Sequence, residues 1–497
     1  MTLTRRSFLT GAVLAGGSLW AASSLWRPAS AAEPRQLRIP ELIDARDESQ
    51  SIALTAQLGK TSFFPERESV TLGYNGSYLG PTLRVHRGDE VEMAVTNALG
   101  EDTTVHWHGL LIPGELDGGP HQTIRPGSTW RPVLPIRQPA ATLWYHSHVH
   151  GRTGEQVYAG LAGLLIVTDD DERALGLPSE YGIDDLPLIL QDRQFENGAL
   201  VLPQGMMSAM HGRRGDTLIV NGTVNPVARV PRGLVRLRLV NGSNAREYDL
   251  AFADDRPFHW IASEGGLLDK PVELRSLRLA PGERAEILVD FSDGRPATLE
   301  TGPDGNLSMM TGMMKGAANL VKGIGRETVI RFEPQGKIAL ESKMPENLLV
   351  YERLDESKAV RRRRFVMNMG MGSMKGGGPS MGGMMRGGMR MFSINDRAFD
   401  MKRVDEQVRL GDTEIWEVSG EMMAHPFHIH GVHFEVLGRN GSAPGIRDQG
   451  LRDTIVAQEP VELLVKFTQT AAASPFMYHC HILEHEDNGM MGQFVVS

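Results

Sequence analysis

The sequence predicts an all-β protein of repeated β-sandwich domains, and three observations carry that prediction. The 497-residue chain is punctuated throughout by 56 Gly and 28 Pro while aromatics make up 6%, a composition that suits many short strands joined by turns better than long helices. Short segments that alternate apolar and polar residues recur at Val91 to Thr96, Leu234 to Val240, Glu286 to Val289 and Glu435 to Leu437, each bounded by Gly, Pro, Asn or Asp. The run from Gly80 to Val95 (GPTLRVHRGDEVEMAV) is echoed at Arg229 to Val240 (RVPRGLVRLRLV) and at Val408 to Val418 (VRLGDTEIWEV). Each echo reads strand, Gly-containing turn, strand, at intervals of roughly one domain, as an internally repeated fold gives.

Taken in order, the chain opens on an export segment. Thr4, Arg5, Arg6, Ser7, Phe8 and Leu9 form a twin-arginine signature, followed by a mildly apolar stretch to Trp26 and by small residues Ala29 and Ala31 before Ala32. Residues 1–31 are therefore read as a removed signal peptide, with a membrane anchor as the competing reading. No later stretch reaches the ~18 apolar residues a span needs, so the mature chain is expected to be soluble, periplasmic and monomeric. A prior of ~150 residues per domain gives about three domains. Polar or Pro-containing connectors at Asp169 to Asp185 and Glu333 to Glu346 put them at 36–170, 184–333 and 346–497. Within the third, residues 367–391 hold nine Met and nine Gly with no period that would bury a face, which predicts a surface insertion. With 61 acidic against 52 basic residues the net charge is −9, which excludes a global basic surface for nucleic acid.

The chemistry lies in the histidines. Ten of the 16 fall in four clusters: His106-Trp-His108, His146-Ser-His148, His425-Pro-Phe-His428-Ile-His430, and His479-Cys480-His481 with His485 close behind. Side chains alternate across a strand, so each His-x-His pair aims two imidazoles at one face. Imidazole alone suits copper, zinc, iron or nickel. In an extended Tyr478 to Ile482 segment, His479 and His481 point one way and Cys480 the other, so one tripeptide can serve two sites. Cys with two His and a weak axial Met is the ligand set of a blue-copper centre, and His485 and Met490 follow Cys480 by five and ten residues. A single Cys excludes an intrachain disulfide and a four-thiolate iron–sulfur cluster. A Cys-His protease is the competing reading, opposed by the ligands on either side of Cys480.

With these four motifs in this order, the chain resembles the multicopper oxidases over nearly all of its mature length. The resemblance implies three cupredoxin-like domains and four copper ions. His425, Cys480, His485 and Met490 would hold the type 1 ion, with Met491 as the alternative axial ligand; His106 and His428 would hold the type 2 ion. His108, His146, His148, His430, His479 and His481 would hold the type 3 pair. It further implies that single electrons enter at the type 1 ion and pass along Cys480 to His479 and His481, where dioxygen becomes water. Asp117 and Glu486 match family acids that supply protons, and either could instead be a solvated loop carboxylate. His150 continues the alternation of His146 and His148 and is expected to support the cluster from behind, while His86, His121, His211, His259 and His433 read as structural or surface residues.

The electron donor is read from methionine. Thioether is a soft ligand for Cu(I), and Met367, Met369, Met371 and the six further methionines up to Met391 have little apolar surface around them in sequence to pack against. Glu421-Met422-Met423-Ala424-His425 is similar to the substrate-copper position of bacterial copper-efflux oxidases, with Glu421 and Met423 at the acid and Met places and Glu where Asp is usual. Met309, Met310, Met313 and Met314 read either as a loading site or as core. The leading expectation is a periplasmic cuprous oxidase for copper tolerance, taking Cu(I) and dioxygen. A laccase-like oxidase of phenols and a non-enzymatic copper-sequestering or scaffold protein are the alternatives.

Overall fold

A computed structural model of the protein describes residues 33–65, 67–305, 325–338, 344–370 and 392–497. The predicted signal peptide, Met309 to Met314 and Met371 to Met391 lie outside the described residues. No described helix is long and apolar enough to cross a membrane.

Strands dominate, in three successive pairs of sheets. The first pair joins a five-stranded sheet (order Leu42–Asp44, Thr82–His86, Ala162–Thr168, Ala141–His146, His106–His108) to one built on Arg67–Tyr74, Ser51–Phe64, Glu90–Asn97 and Thr129–Trp130. The third pair joins Phe392–Ile394, Ala359–Met369, Thr413–Gly420, Val461–Lys466 and Phe434–Arg439 to Glu406–Val408, Met491–Val496, Phe476–Cys480, His425–Ile429 and Thr454–Ala457. Between them lie an eight-stranded and a six-stranded sheet drawn mainly from Asp185 to Ile338, whose edge is formed by the N-terminal strand Arg35–Gln36, parallel to Pro226 and Val227. The four alternating segments read from the sequence all fall inside strands, and the alternation is what buries one side: in Ser51–Phe64, Ile52, Leu54 and Ala56 are enclosed while their neighbours are not.

The run and its two echoes have one structural meaning. In each, the first strand belongs to one sheet of a pair and the second to its partner: Thr82–His86 to Glu90–Asn97, Pro226–Arg232 to Leu234–Asn241, and Glu406–Val408 to Thr413–Gly420. The turn between is a corner with a left-handed glycine, Gly88 (φ 100°), Gly233 (φ 134°) and Gly411 (φ 89°). A Cβ at Gly88 or Gly411 would touch nothing, so backbone conformation rather than space selects glycine there.

One expectation needs correction. Met367 (0% exposed) and Met369 (6%) are core residues of strand Ala359–Met369, paired with Ile394 and Phe392. Their alternation with Val366 and Asn368 continues the strand that starts at Ala359, so the strand reaches three residues into the range read as low-complexity. Met composition masked a period of two.

A buried ion network ties the first and middle sheets together. On Leu234–Asn241, Arg236 Nε donates to Glu286 Oε2 at 2.7 Å and Arg238 Nε to Asp185 Oδ1 at 2.7 Å; Thr142, from the first region, donates to Glu286 Oε1 at 2.6 Å. Burial alone would raise the Glu286 carboxyl, but Arg236 and Arg238 outweigh it and hold it down to about 2. Its depressed value means that the network stabilises the fold above the ordinary carboxylate range and is lost as pH falls toward about 2. Glu286→Gln removes the carboxylate that two buried guanidiniums share, leaving Arg236 with Glu172 and Arg238 with Asp185, and should cost about 3 kcal/mol; denaturant unfolding at pH 7 checks this, and a loss below ~1 kcal/mol would show the shared carboxylate to be dispensable.

Candidate metal centre

The histidine clusters meet where the first and third pairs of sheets approach. Strand register sets each partner: His106–His108 lies antiparallel to Ala141–His146 with His106 opposite His146, and His425–Ile429 lies antiparallel to Phe476–Cys480 with His428 opposite His479. The two His-x-His pairs from opposite ends of the chain then stack in reverse order, His106 on His430 (ring centroids 3.8 Å, 17°) and His108 on His428 (3.7 Å, 13°).

Among the described residues, ligand atoms converge in four buried groups of imidazole and thiol, His106, His108 and His428; His108, His146 and His481; His148, His430 and His479; and His425, Cys480 and His485; a fifth group joins Asp117 to His106 and His430. Cys480 Sγ lies 3.5 Å from His425 Nδ1 and 3.6 Å from His485 Nδ1, while His479 and His481 on either side of it enter two of the three imidazole triads. Met490 is fully buried in the core group that contains Cys480, whereas Met491 packs with Phe399 and Met477 in a different one. This separates the two candidate axial residues: Met490, just before the final strand Met491–Val496, is the one that shares the Cys480 core.

Whether a metal fits is decided by the protons. Nδ1–H of His106, His146, His428 and His479 donates to the carbonyl oxygens of Asp117 (3.0 Å), Ser147 (2.8 Å), Asp453 (2.9 Å) and Cys480 (3.0 Å). His108 Nε2 donates to Asp453 Oδ1 at 3.1 Å and His430 Nδ1 to Asp117 Oδ2 at 2.8 Å. With the N–H directed outward, the inward nitrogens are bare lone pairs. His479 Nε2 stands 3.2 Å from both His148 Nε2 and His430 Nε2, His108 Nδ1 stands 3.4 Å from His146 Nε2, and the buried Nε2 atoms of His106 and His428 have no hydrogen-bond partner. Burial first, and neighbouring imidazoles second, push His146, His148, His430, His479, His481 and His485 well below the ordinary histidine range, so the rings are neutral. Lone pairs facing one another across about 3 Å suit a cation and nothing else in the protein. Imidazole, thiol and thioether together are a copper donor set.

Both predicted proton residues sit behind these ligands. Asp117 is buried at 3% exposure and also lies 3.4 Å from His106 Nδ1. Glu486 Oε1 is 3.3 Å from His148 Nδ1 and Oε2 is 3.3 Å from His479 Nδ1; burial, with Asp487 adding to it, pushes its carboxyl well above the usual range. Among the remaining histidines, His86 bridges Asp44 and Thr168, His121 meets Gln493, and His433 donates to Gly109. His150 does not back the cluster: it is exposed with its ring 5.3 Å from Phe399, because the strand ends at His146 and the chain turns before helix Thr153–Ala159.

The residues read as a substrate-copper position differ in burial, although Met367, Met369 and Met423 share the core group of Cys480 and Met490. Glu421 is exposed and meets His425 through its backbone, His425 Nε2 donating to its carbonyl at 3.3 Å, while Met423 is buried in the core at 4% exposure. Met422 between them is exposed, with φ 64°. Residues that carry no motif also contribute. Asp453 accepts from His108 and is clamped by Arg284 of the middle region (Nη1 to Oδ1 2.7 Å), which in turn reaches the Thr142 carbonyl; and His485 Nε2 donates to the Met210 carbonyl at 3.0 Å.

Family models described as "Multicopper oxidase" match residues 56–172 and 375–497. Over its whole length the chain is 40% identical to 99% of the cell division protein FtsP of Xenorhabdus nematophila, and 37% identical to 99% of that of Escherichia coli K12. Among solved structures it is similar to the laccase-like multicopper oxidase CueO of Ochrobactrum sp., described as having oxidase activity towards lignin model compounds (41% identity, 93% of this chain and 100% of that one, TM-score 0.83). It is also similar to the Campylobacter jejuni multicopper oxidase, described as a metallo-oxidase (29%, 95% and 97%, TM-score 0.79).

The neutral histidines give a pH test. A folded-state value below the unfolded one means that the unfolded chain binds more protons as pH falls through the window between them, and for His425 burial lowers the folded value to about 4. Metal-free protein should therefore lose thermal stability steeply from about pH 6.5 down toward 4; a melting temperature flat between pH 7 and 5 would contradict the neutral, lone-pair-inward arrangement.

Proposed function

The chain belongs to the multicopper oxidase family, and on that premise we propose that it is a copper-dependent oxidase that takes single electrons from Cu(I) and reduces dioxygen to water. The observation that carries this reading is the strand Phe476–Cys480 and the residue after it, which put Cys480 into one group of ligands and His479 and His481 into two others. Cys480, His425, His485 and Met490 would hold a type 1 ion, His106 and His428 a type 2 ion, and the triads His108, His146, His481 and His148, His430, His479 the type 3 pair. Bound there, copper supplies one-electron chemistry, so that four electrons and four protons convert one dioxygen to two waters.

The chain's own residues do the rest. Cys480 links the groups covalently through the peptide bonds to its two histidine neighbours. Its thiol, pushed up by burial, must release its proton when metal arrives. Glu486, its carboxyl pushed well above the usual range by burial, stands 3.3 Å from two ligand imidazoles, the place from which a proton can be delivered. Asp117 fixes His430 and faces His106.

Cu(I) as donor rests on the sequence, nine methionines among residues 367–391 less the two now in the core, and phenols are the competing donor. Export by the twin-arginine route, a periplasmic location and a monomeric state belong to the same proposal. A second reading comes from the FtsP relatives, named as cell division proteins: a non-catalytic role on the same fold. The complete donor set favours the oxidase, because a scaffold has no use for ten buried ligand imidazoles, eight of them held by outward hydrogen bonds with a lone pair inward.

Cys480→Ser should abolish the visible thiolate-to-copper absorption and oxygen uptake together, in protein that still folds. Expressing wild type and Cys480→Ser in Escherichia coli lacking its own 37% identical relative separates the readings. Division restored equally by both would make the oxidase chemistry irrelevant to that role. Asp117→Asn and Glu486→Gln should each slow reoxidation of fully reduced protein about 10²-fold or more while the type 1 ion stays reducible. Stopped-flow mixing with oxygen reads this, and unchanged rates in both would remove the two acids from proton delivery.

A further inference from the structure

Behind His108 lies a buried ion cluster with one carboxylate more than its cations can balance. Arg284 and Arg452 are the cations, Asp453, Glu264 and Glu283 the acids, and all five side chains are buried. Arg452 Nη1 is shared by Glu264 (3.2 Å to Oε1, 3.3 Å to Oε2) and Glu283 (3.5 Å to Oε1), while Arg284 closes on Asp453 through Nη1 at 2.7 Å and Nη2 at 2.5 Å. The surrounding charges leave the count unchanged. Asp448 pairs with Arg439 at 2.8 Å and Glu247 with Arg278 at 4.0 Å, and burial lowers His433 below the ordinary histidine range, so that ring is neutral. A surplus buried charge of this kind is removed most readily by a proton.

Hydrogen bonding selects the carboxylate that takes it. Asp453 accepts from Arg284 twice, from His108 Nε2 and from Thr454 Oγ1 at 2.9 Å, and Glu283 Oε2 accepts from the Ala280 N–H at 2.8 Å; each of these favours the charged form. For the Glu264 carboxyl the described residues supply the shared Arg452 nitrogen and the Arg284 N–H at 3.4 Å. Glu264 and Gly265 form the two-residue turn between strands Phe258–Ser263 and Gly266–Leu274, a place that is ordinarily solvated. Here the turn is pressed onto the third region, with the Gly265 N–H donating to the Leu451 carbonyl at 2.7 Å and Glu264 wholly enclosed. Burial above all, against the pull of Arg452 and with Glu283 adding to it, pushes the Glu264 carboxyl up.

The cluster also touches the metal centre from outside. Asp453 accepts from His108 through its carboxylate and from His428 through its carbonyl, so positive charge among those imidazoles reaches Glu264 across one carboxylate and two guanidiniums, in surroundings where charge is weakly screened. Solvent is close on the other side. A cleft of about 570 Å³ is lined by Asp448, Gln449 and Gly450, and a Cβ at Gly450 would stand 2.3 Å from Oγ of Ser263, the residue before Glu264.

We propose that Glu264 is a proton-binding site linked to the charge of the centre, holding a proton while the imidazole groups around His108 are empty or reduced and releasing it when their positive charge rises. The role, though not the proton site, rests on the oxidase reading above. When an electron enters the centre, one proton from solvent forms an O–H bond at Glu264 and the buried charge stays constant; when the electron passes on to dioxygen, that bond breaks and the proton returns to solvent. Glu264 thus tunes the potential of the centre and is not the source of the protons that dioxygen consumes.

Glu264→Gln in the full chain tests this. In metal-free protein at pH 6, the infrared carbonyl stretch of protonated carboxyls should contain a component that the variant lacks. Copper loading should remove that component from wild type and release about one proton more per chain than from the variant. The variant should melt with wild type at pH 7, because a neutral amide replaces a protonated acid, whereas loss of a charged partner of Arg452 would destabilise as Glu286→Gln does. Between pH 6 and 8 the midpoint potential of copper at His106 and His428, followed by electron paramagnetic resonance, should fall with rising pH in wild type and less steeply in the variant. A variant that unfolds, an unchanged infrared band, equal proton release or equal slopes overturns the proposal. A slope that flattens in a protein that consumes no oxygen would keep the proton site and sink the oxidase reading; oxygen uptake with equal slopes would do the reverse.

Discussion

The arrangement of N–H groups around the ligand imidazoles is the constraint on which the rest of the structure depends. A neutral imidazole has one proton and one lone pair, and here the proton is used on the outside, by carbonyls of Asp117, Ser147, Asp453 and Cys480 and by the carboxylates of Asp117 and Asp453. What remains inside is a set of lone pairs in near contact, mutually repulsive until a cation is placed between them. Local hydrogen bonding therefore dictates the metal affinity, and the sheets exist at this point to hold the carbonyls still.

Holding them takes all three regions of the chain. Arg284, from the middle region, clamps the Asp453 of the third, which positions His108 of the first. Close backbone approach does similar work at Gly118 (φ 78°), where a Cβ would come within 1.7 Å of the Val105 carbonyl. Only glycine lets the Asp117 loop fold back onto His106 and deliver both its carbonyl and its carboxylate to the cluster. The middle sheets hold none of the ligands, yet through Arg284, and through the Glu286 network with Thr142, they fix the spacing of the two pairs of sheets that do.

Much of this was legible in the sequence where the signal was local. A strand has a period of two, so His-x-His and His-Cys-His disclose their facing sides without any knowledge of the partner, and the strand–glycine–strand echoes disclose the repeat. Legibility ended where position depends on something distant or on where a strand stops. Asp453 and Arg284 carry no motif; each matters only because a residue far away in the chain arrives beside it. His150 fits the alternation of His146 and His148 but lies past the strand end. Met367 and Met369 were hidden by their composition, and Met210 acts through a carbonyl, which no side-chain pattern reports.

The reach of these contacts along the chain has a kinetic meaning. His108 and Asp453 are 345 residues apart, and His148 and His479 are 331 apart, so each contact closes a very long loop and forms only after the local sheets have paid its entropy. Until those loops close, the chain offers a metal ion only scattered imidazoles, so a filled centre reports that the first and third regions have met.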